Sequence, residues 1–267
     1  MSNVWIALLL TALAGLSTGI GSVIAFFCKE MDMKFLSVSL GFSAGVMIYV
    51  SMMEIYGKSI RCLHPVYGEK LGSAVAVLAF FGGMLFIGII DRLLPAGEKG
   101  LSTLTKKDTG TGEGAKNGAL LRTGVFTALV MSIHNFPEGL ATFVSALQEP
   151  SLAIPIVFAI AIHNIPEGIA VSVPVYYATG SKKKAFLISF LSGLTEPIGA
   201  VIGYLLLMPF MSETVNGILY AAVAGIMVFI SLDELLPAAH EYGTRHLAMY
   251  GLVGGMAVMA ASLLLFL

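Results

Sequence analysis

Residues 134–139 read His-Asn-Phe-Pro-Glu-Gly, and residues 163–168 read His-Asn-Ile-Pro-Glu-Gly. Five of the six positions are identical, and both copies lie inside long apolar runs. Residues four apart share one face of a helix, so each histidine is expected to lie over the glutamate of its own copy. The asparagine of each copy is three residues from that glutamate and joins it at the edge of the same face. The doubled hexapeptide therefore predicts two helices that each present an imidazole, an amide and a carboxylate on one side.

Each copy also contains a proline, which has no N–H and crowds the carbonyl four residues earlier. Both helices are therefore expected to kink beside their polar side chains. Imidazole, carboxylate and amide oxygens are the groups that a divalent metal site needs. The candidate metal ligands on the two helices are His134, Asn135, Glu138, His163, Asn164 and Glu167.

The distribution of charge supports a cation site. Between Thr123 and Ser181 the chain has no Lys or Arg, although Glu138 and Glu167 lie there, and the next apolar run adds Glu196 without a basic partner. A carboxylate at membrane depth costs about 2.5–3.5 kcal/mol on insertion scales, and such residues are functional candidates by default. Without an internal cation, these carboxylates are expected to be protonated or to hold a cation brought from outside. Glu196 is expected to face the same site.

The composition indicates a polytopic membrane protein. Of the 267 residues, 57% are hydrophobic and 12% are charged, and the mean hydropathy is +0.89. A soluble domain is nearer half apolar and a quarter charged. The net charge of −1 gives no indication of partners.

Apolar runs of the length needed to cross a bilayer predict an all-α protein with eight transmembrane helices. Twelve Lys and Arg lie on the side of the connections between helices 1 and 2, 3 and 4, 5 and 6, and 7 and 8, against three on the other side. This bias places both termini outside the cytoplasm. Residues 97–118 are polar and rich in Gly, Thr and Lys, and are expected to form a flexible cytoplasmic linker. The predicted helices span 4–27, 35–56, 71–94, 120–147, 152–178, 185–208, 214–238 and 247–267.

An internal repeat relates the two halves of the chain. Residues 44–54 match residues 224–234, and shorter matches relate helices 1–3 to helices 6–8 and helix 4 to helix 5. Helices 1 and 6 are five crossings apart, so the copies point in opposite directions. Inverted repeats with a site near the midplane are typical of transporters. A membrane enzyme could keep the same symmetry.

Further residues are candidates as metal ligands. Glu54 and its repeat equivalent Glu234 lie near helix ends, where either solvation or a role in relaying cations explains a carboxylate. Met47 is a thioether in helix 2, where most methionines fill apolar gaps. His240 and His246 lie between helices 7 and 8 and are interpreted as solvated.

The doubled His-Asn-x-Pro-Glu-Gly motif, the eight-helix count and the long linker together resemble the ZIP family of divalent-metal transporters, in particular its GufA branch. The resemblance covers essentially the whole chain. It implies a 3+2+3 helix arrangement and a binuclear site in which Glu138 and Glu167 bridge two metals and Glu196 completes the second. It also places Met47 beside the first metal and Glu54 along the ion path. Many relatives carry a His-rich linker, which this chain lacks.

The resulting expectation is a plasma-membrane importer, in the bacterial inner membrane, that moves zinc into the cytoplasm. Iron, manganese, cobalt and cadmium also suit the mixed donor set. One repeat unit is expected to rock against the other to change which side is open. The expected partners are divalent metal ions and the lipid bilayer, with no nucleic acid and no prosthetic group. The sequence does not decide between a monomer and a homodimer.

Two other classes of protein share part of this ligand pattern. A membrane di-metal oxidase would use similar carboxylates, but its usual Glu-x-x-His words are missing at membrane depth, as is the His-Glu-x-x-His of zinc proteases. A scaffold with a structural zinc would favour four tight Cys or His ligands. The oxygen-rich set instead favours ions that leave again, and a transporter rather than an enzyme.

Overall fold

The structure is a computed structural model that describes residues 2–27, 33–93, 113–148 and 150–265. The side chains of some of these residues, among them His134, are outside the description. The described residues form helices and contain no strand. By length and composition, five of the described segments can cross a membrane: Asn3–Ile24, Met33–Arg92, Lys182–Leu206, Glu213–Tyr242 and Arg245–Leu265. The chain is therefore an all-α protein of the multi-pass membrane type, as its composition predicts.

Ten α-helices follow one another along the described chain. Two π-helical turns, Ser51–Ile55 and Ser231–Leu235, and one 3₁₀ turn, Met208–Phe210, connect some of them. The helices are α1 (Ser2–Ala25), α2 (Met33–Val50), α3 (Tyr56–Leu93), α4 (Glu113–Gln148), α5 (Pro150–Thr179), α6 (Lys182–Gly193), α7 (Thr195–Leu207), α8 (Glu213–Ile230), α9 (Leu236–Tyr242) and α10 (Arg245–Leu265).

The region predicted as a loop at 57–70 is helical, except at one glycine. Inside α3, Gly68 has φ +76° and ψ 167°, a conformation that side-chain-bearing residues rarely adopt. The helix therefore continues past the predicted end at residue 56, and the chain reverses at Gly68. Most of the predicted linker lies outside the described residues, and its last part, 113–118, belongs to α4.

A helix break places Glu196. The single helix predicted at 185–208 is two helices, because α6 ends at Gly193 and α7 begins at Thr195. Pro197 explains the break, since its nitrogen cannot donate to the carbonyl of Gly193 and its ring crowds that carbonyl. Glu196 consequently lies in the first turn of α7, where the helix dipole favours a negative charge. By contrast, α4 runs through Pro137 without a break in helical structure.

The two π-turns occupy equivalent positions of the internal repeat. Ser51–Ile55 and Ser231–Leu235 are offset by the same 180 residues that relate 44–54 to 224–234. Each turn contains a glutamate, Glu54 or Glu234. Single π-helical turns are rare in proteins, and many of those that occur lie at functional sites. The local backbone therefore follows the repeat seen in the sequence.

The described helices form two groups that contain close glycine contacts. In the first helix group (α1, α4, α5, α6 and α7), glycines of one helix lie directly against carbonyl oxygens of another, as Gly21 does against Ile165. In the second helix group (α2, α3, α8 and α10), glycines pair α2 with α10, as Gly41 lies against Ala248, and α3 with α8, and the two pairs meet where the first π-turn contacts α8 and the second contacts α2. Such close approach is what small residues allow between membrane helices. Each described glycine whose added Cβ would strike another helix's backbone pairs helices within one group.

These contacts come in matched pairs. Gly168 of α5 lies against the carbonyl of Thr18 in α1, and Gly139 of α4 lies against the carbonyl of Glu196 in α7. The hexapeptide copies relate Gly139 to Gly168. The match of residues 15–21 to residues 193–199 relates Thr18 to Glu196. The packing of α5 on α1 thus repeats in the packing of α4 on α7.

We predict that Gly21→Ala destabilises the protein, because the new methyl group meets the carbonyl oxygen of Ile165. Overpacking of this kind costs about 1–3 kcal/mol. The midpoint of thermal unfolding in detergent measures the effect. Gly82→Ala is the matched control, since nothing lies within 4 Å of a Cβ added there. Equal midpoints for the two variants would contradict the assigned packing.

Candidate metal site

The polar residues of the doubled motif are buried between α4, α5 and the break before α7. Their side chains are at most 1% exposed in every described case. Burial of so many polar groups is costly unless each finds a partner or a ligand. The described residues that share this buried region are Asn135, Glu138, His163, Asn164, Glu167 and Glu196. The side chain of His134 lies outside the described part of the chain.

The two copies of the motif contact each other. The Nε2 atom of His163 in α5 lies 3.0 Å from the Oε1 atom of Glu138 in α4. The sequence pairs each histidine with the glutamate of its own helix, whereas this contact joins the histidine of one copy to the glutamate of the other. The imidazole and the carboxylate therefore converge from two helices, as a shared metal site requires.

The asparagines anchor the neighbouring helices and leave their oxygens open. The Nδ2 atom of Asn135 donates to the carbonyl of Ser192 at 3.1 Å, and that of Asn164 donates to the carbonyl of Ala14 at 3.1 Å. The Nδ2 atom of Asn164 also donates to Oε1 of Glu196. Among the described residues, neither amide oxygen has a hydrogen-bond partner. Buried polar atoms are normally paired, so these two oxygens are available to a cation.

Glu196 lies beside both copies of the motif, because its backbone carbonyl is against Gly139 and its Oε1 atom accepts from Asn164. Its Oε2 atom has no hydrogen-bond partner among the described residues. Three buried carboxylates therefore face one region of the protein. The sequence offers no Lys or Arg between residues 123 and 181 to neutralise them.

The described donor atoms around His163 do not by themselves form a closed set of ligands. Within the described part of the chain, three or more His, Cys, Asp or Glu ligand atoms come within 4.8 Å of one another only at Asp91, Asp233 and Glu234. A structural zinc site is closed and tetrahedral, and the described atoms beside His163 and Glu138 do not show that arrangement.

The acidic cluster of Asp91, Asp233 and Glu234 includes two residues that the sequence analysis did not single out. It joins the end of α3 to the second π-turn, and a shallow pocket opens beside it. Since the contact depends on the packing of α3 on α8, no local pattern indicates it. The pocket is lined by Ile87, Ile90, Asp91, Val130, Ile133, Phe229, Ile230 and Glu234.

Glu54 and Met47 are not brought to these ligands by any described contact. The Oε1 atom of Glu54 lies 3.6 Å from Nζ of Lys58 and 3.5 Å from Nη2 of Arg61, and the side chain is 21% exposed. Met47 is fully buried in the main apolar core. Their roles as ligands stay predictions. His240 and His246 are exposed.

Comparison with known proteins agrees with this chemistry. Residues 91–263 match the family described as ZIP Zinc transporter. The chain is 62% identical over 265 residues to the zinc transporter ZupT of Streptococcus mutans, with 99% of each chain covered. It is 58% identical to ZupT of Clostridium perfringens over 100% of this chain and 98% of that one. It is 57% identical to ZupT of Chlorobaculum parvum over 99% of both chains.

We predict that Asn164→Leu destabilises the metal-free protein more than Asn135→Leu does. Both carbonyls that these amides bind keep a hydroxyl donor, from Ser17 to Ala14 and from Thr195 to Ser192, each at 2.5 Å. The difference between the variants is therefore the bond to Glu196. Loss of a hydrogen bond to a charged group costs about 1.5–3 kcal/mol.

Thermal unfolding in the presence of a chelator measures this difference, and the Asn135 variant is its control. A larger loss for Asn135→Leu would show that the amide of Asn164 does not hold Glu196.

Proposed function

Because this chain belongs to the ZIP zinc transporter family, we propose that it imports zinc ions into the cytoplasm through the buried site between α4 and α5. The observation that carries this proposal is the group of three buried carboxylates, Glu138, Glu167 and Glu196, which lie in apolar runs (123–181 and 185–244) without Lys or Arg. Such a group needs a cation at membrane depth. A zinc ion that arrives and leaves again supplies one.

The site is proposed to hold two metal ions. Glu138 and Glu167 would bridge them, and Glu196 would complete the second. The oxygen atoms of Asn135 and Asn164, which lack described hydrogen-bond partners, support this assignment. His163 would bind from α5, and His134 and Met47 are proposed as the remaining ligands of the first ion.

Eight crossings in a 3+2+3 inverted repeat are proposed for the chain. The segment Met33–Arg92 has 60 residues, and a straight helix of that length is about 90 Å long, three times the hydrocarbon thickness. The reversal at Gly68 divides it into two crossings. Helices α4 and α5, with 36 and 30 residues, would add two more. The matched glycine contacts and π-turns support the inverted symmetry.

Alternating access is proposed to occur at the boundary between the two helix groups. Glycine contacts join the helices of the first group, and in the second group they pair α2 with α10 and α3 with α8, whereas none of the described glycines makes such a contact across the boundary. The site lies in the first helix group and faces α2 of the second. Each group combines helices from both repeats, so we propose that the groups move against each other, rather than one repeat against the other.

Several finer features belong to the same proposal. The protein would lie in the bacterial inner membrane, with both termini outside the cytoplasm, the 97–118 linker inside it, and Glu54 along the ion path. Iron, manganese, cobalt and cadmium would compete with zinc, because the donor set combines imidazole with oxygen ligands. A homodimer is compatible with this arrangement.

Initial-rate zinc uptake into proteoliposomes tests the function. Wild type is expected to show saturable uptake, and Glu138→Ala and Glu167→Ala are expected to lose it, because each removes a bridging ligand. Glu69→Ala is the matched control, since it removes an exposed carboxylate. Absent uptake in folded wild type would point to the di-metal enzyme class. Uptake unchanged in both site variants would mean that zinc takes another route.

Zinc binding is expected to weaken as the pH falls, because protons compete with the metal for carboxylate and imidazole groups. Calorimetric titration of the purified protein with zinc between about pH 8 and pH 5 measures this dependence. Glu138→Ala, which lacks a central ligand, should bind weakly across the range. A flat affinity profile for wild type would contradict the proposed ligand chemistry.

A further inference from the structure

Ser43 is a buried hydroxyl that the sequence analysis did not single out. It lies in α2 and is 0% exposed. Its Oγ atom is 3.2 Å from Oε1 of Glu167 and 3.3 Å from the backbone carbonyl oxygen of His163. It therefore contacts one of the two proposed bridging carboxylates directly.

The hydroxyl has one proton and can donate to one of these oxygens at a time. In a continuous α-helix the carbonyl of His163 already accepts the N–H of Glu167, four residues later. Hydrogen bonds to a charged acceptor are shorter and stronger than those to a neutral one. The carboxylate of Glu167 is consequently the favoured acceptor of the Ser43 proton.

The bond crosses the boundary between the helix groups. Ser43 lies between Gly41 and Gly45, which hold α2 against the backbone of α10 in the second helix group. Glu167 belongs to α5 in the first group, where Gly168 holds it against α1. The hydroxyl of Ser43 therefore belongs to the second helix group, and the carboxylate of Glu167 belongs to the first.

The repeat does not supply a second hydroxyl of this kind. The residue 180 positions after Ser43 is Val223, which has no polar group to offer. Glu138 instead contacts His163 across the site. The two carboxylates of the doubled motif are thus held by different chemistry.

We propose that Ser43 is a positioning residue of the zinc site: it orients Glu167 from the opposite helix group. The inference rests on the proposed function. Ser43 orients the carboxylate of Glu167 only while α2 and α5 are in contact. The affinity for zinc therefore depends on the relative position of the two helix groups. Movement of one group against the other removes the bond and lowers the affinity on the side where zinc is released.

The test is the concentration dependence of zinc uptake by Ser43→Ala in proteoliposomes. The KM for zinc is expected to rise about tenfold, as for the loss of one hydrogen bond to a charged group. Vmax is expected to stay unchanged, because the substitution weakens binding without obstructing movement. Ser172→Ala is the matched control, since it removes a buried hydroxyl of α5 that donates only within its own helix.

Ser43→Thr restores the hydroxyl and is expected to bring the KM back towards wild type. Calorimetric titration of Ser43→Ala with zinc gives a second measurement that does not depend on transport. An unchanged KM and an unchanged dissociation constant would overturn the role of Ser43, as would a loss of Vmax at unchanged KM. Absent uptake by wild type would instead refute the transport function, whatever the variant does.

Discussion

Buried negative charge is the constraint on which the site depends. Glu138, Glu167 and Glu196 are all nearly or fully excluded from solvent, and residues 123–181 and 185–244 contain no Lys or Arg. In soluble proteins such groups pair with Lys or Arg, but a permanent basic partner would occupy the place that a passing cation needs. Three other side chains contact these carboxylates: the imidazole of His163, the amide of Asn164 and the hydroxyl of Ser43. Each can orient a carboxylate without a permanent positive charge, which suits the proposed binding of divalent ions.

Small residues make this arrangement affordable in a thin layer of apolar helices. Glycines bring helix backbones into contact, and the carbonyls of Ala14 and Ser192, next to the contact between Gly15 and Gly193, accept from the asparagine amides. Each asparagine therefore contacts a neighbouring helix with its amide nitrogen and leaves its oxygen to the candidate site. None of the described glycines makes a close backbone contact across the boundary between the helix groups, which is where the proposed movement would occur.

The residues that the candidate site brings together could largely be predicted from the sequence, because the doubled motif repeats them at helical spacing, while their role as metal ligands stays a prediction. The contacts between helices could not be predicted from the sequence. The approach of His163 to Glu138 depends on how α5 is rotated against α4, and Ser43 reaches Glu167 only through the packing of α2. At Glu54 the hydropathy misleads about where the helix ends. The falling hydropathy after residue 56 predicts a helix end there, yet the helix continues and brings Lys58 and Arg61 to the carboxylate of Glu54. Hydropathy reports where apolar residues stop, and hydrogen bonds extend the helix beyond that point.

The paired π-turns set the direction of the side chains that follow them. A π-turn holds one residue more than the α-helical turn it replaces, so it rotates everything beyond it by about 100°. The extra residue lies at the same point of the two matched segments, and each turn contains a glutamate at the equivalent position. The same rotation therefore occurs in both halves of the repeat, and in each half it changes the face of the helix on which every later residue lies.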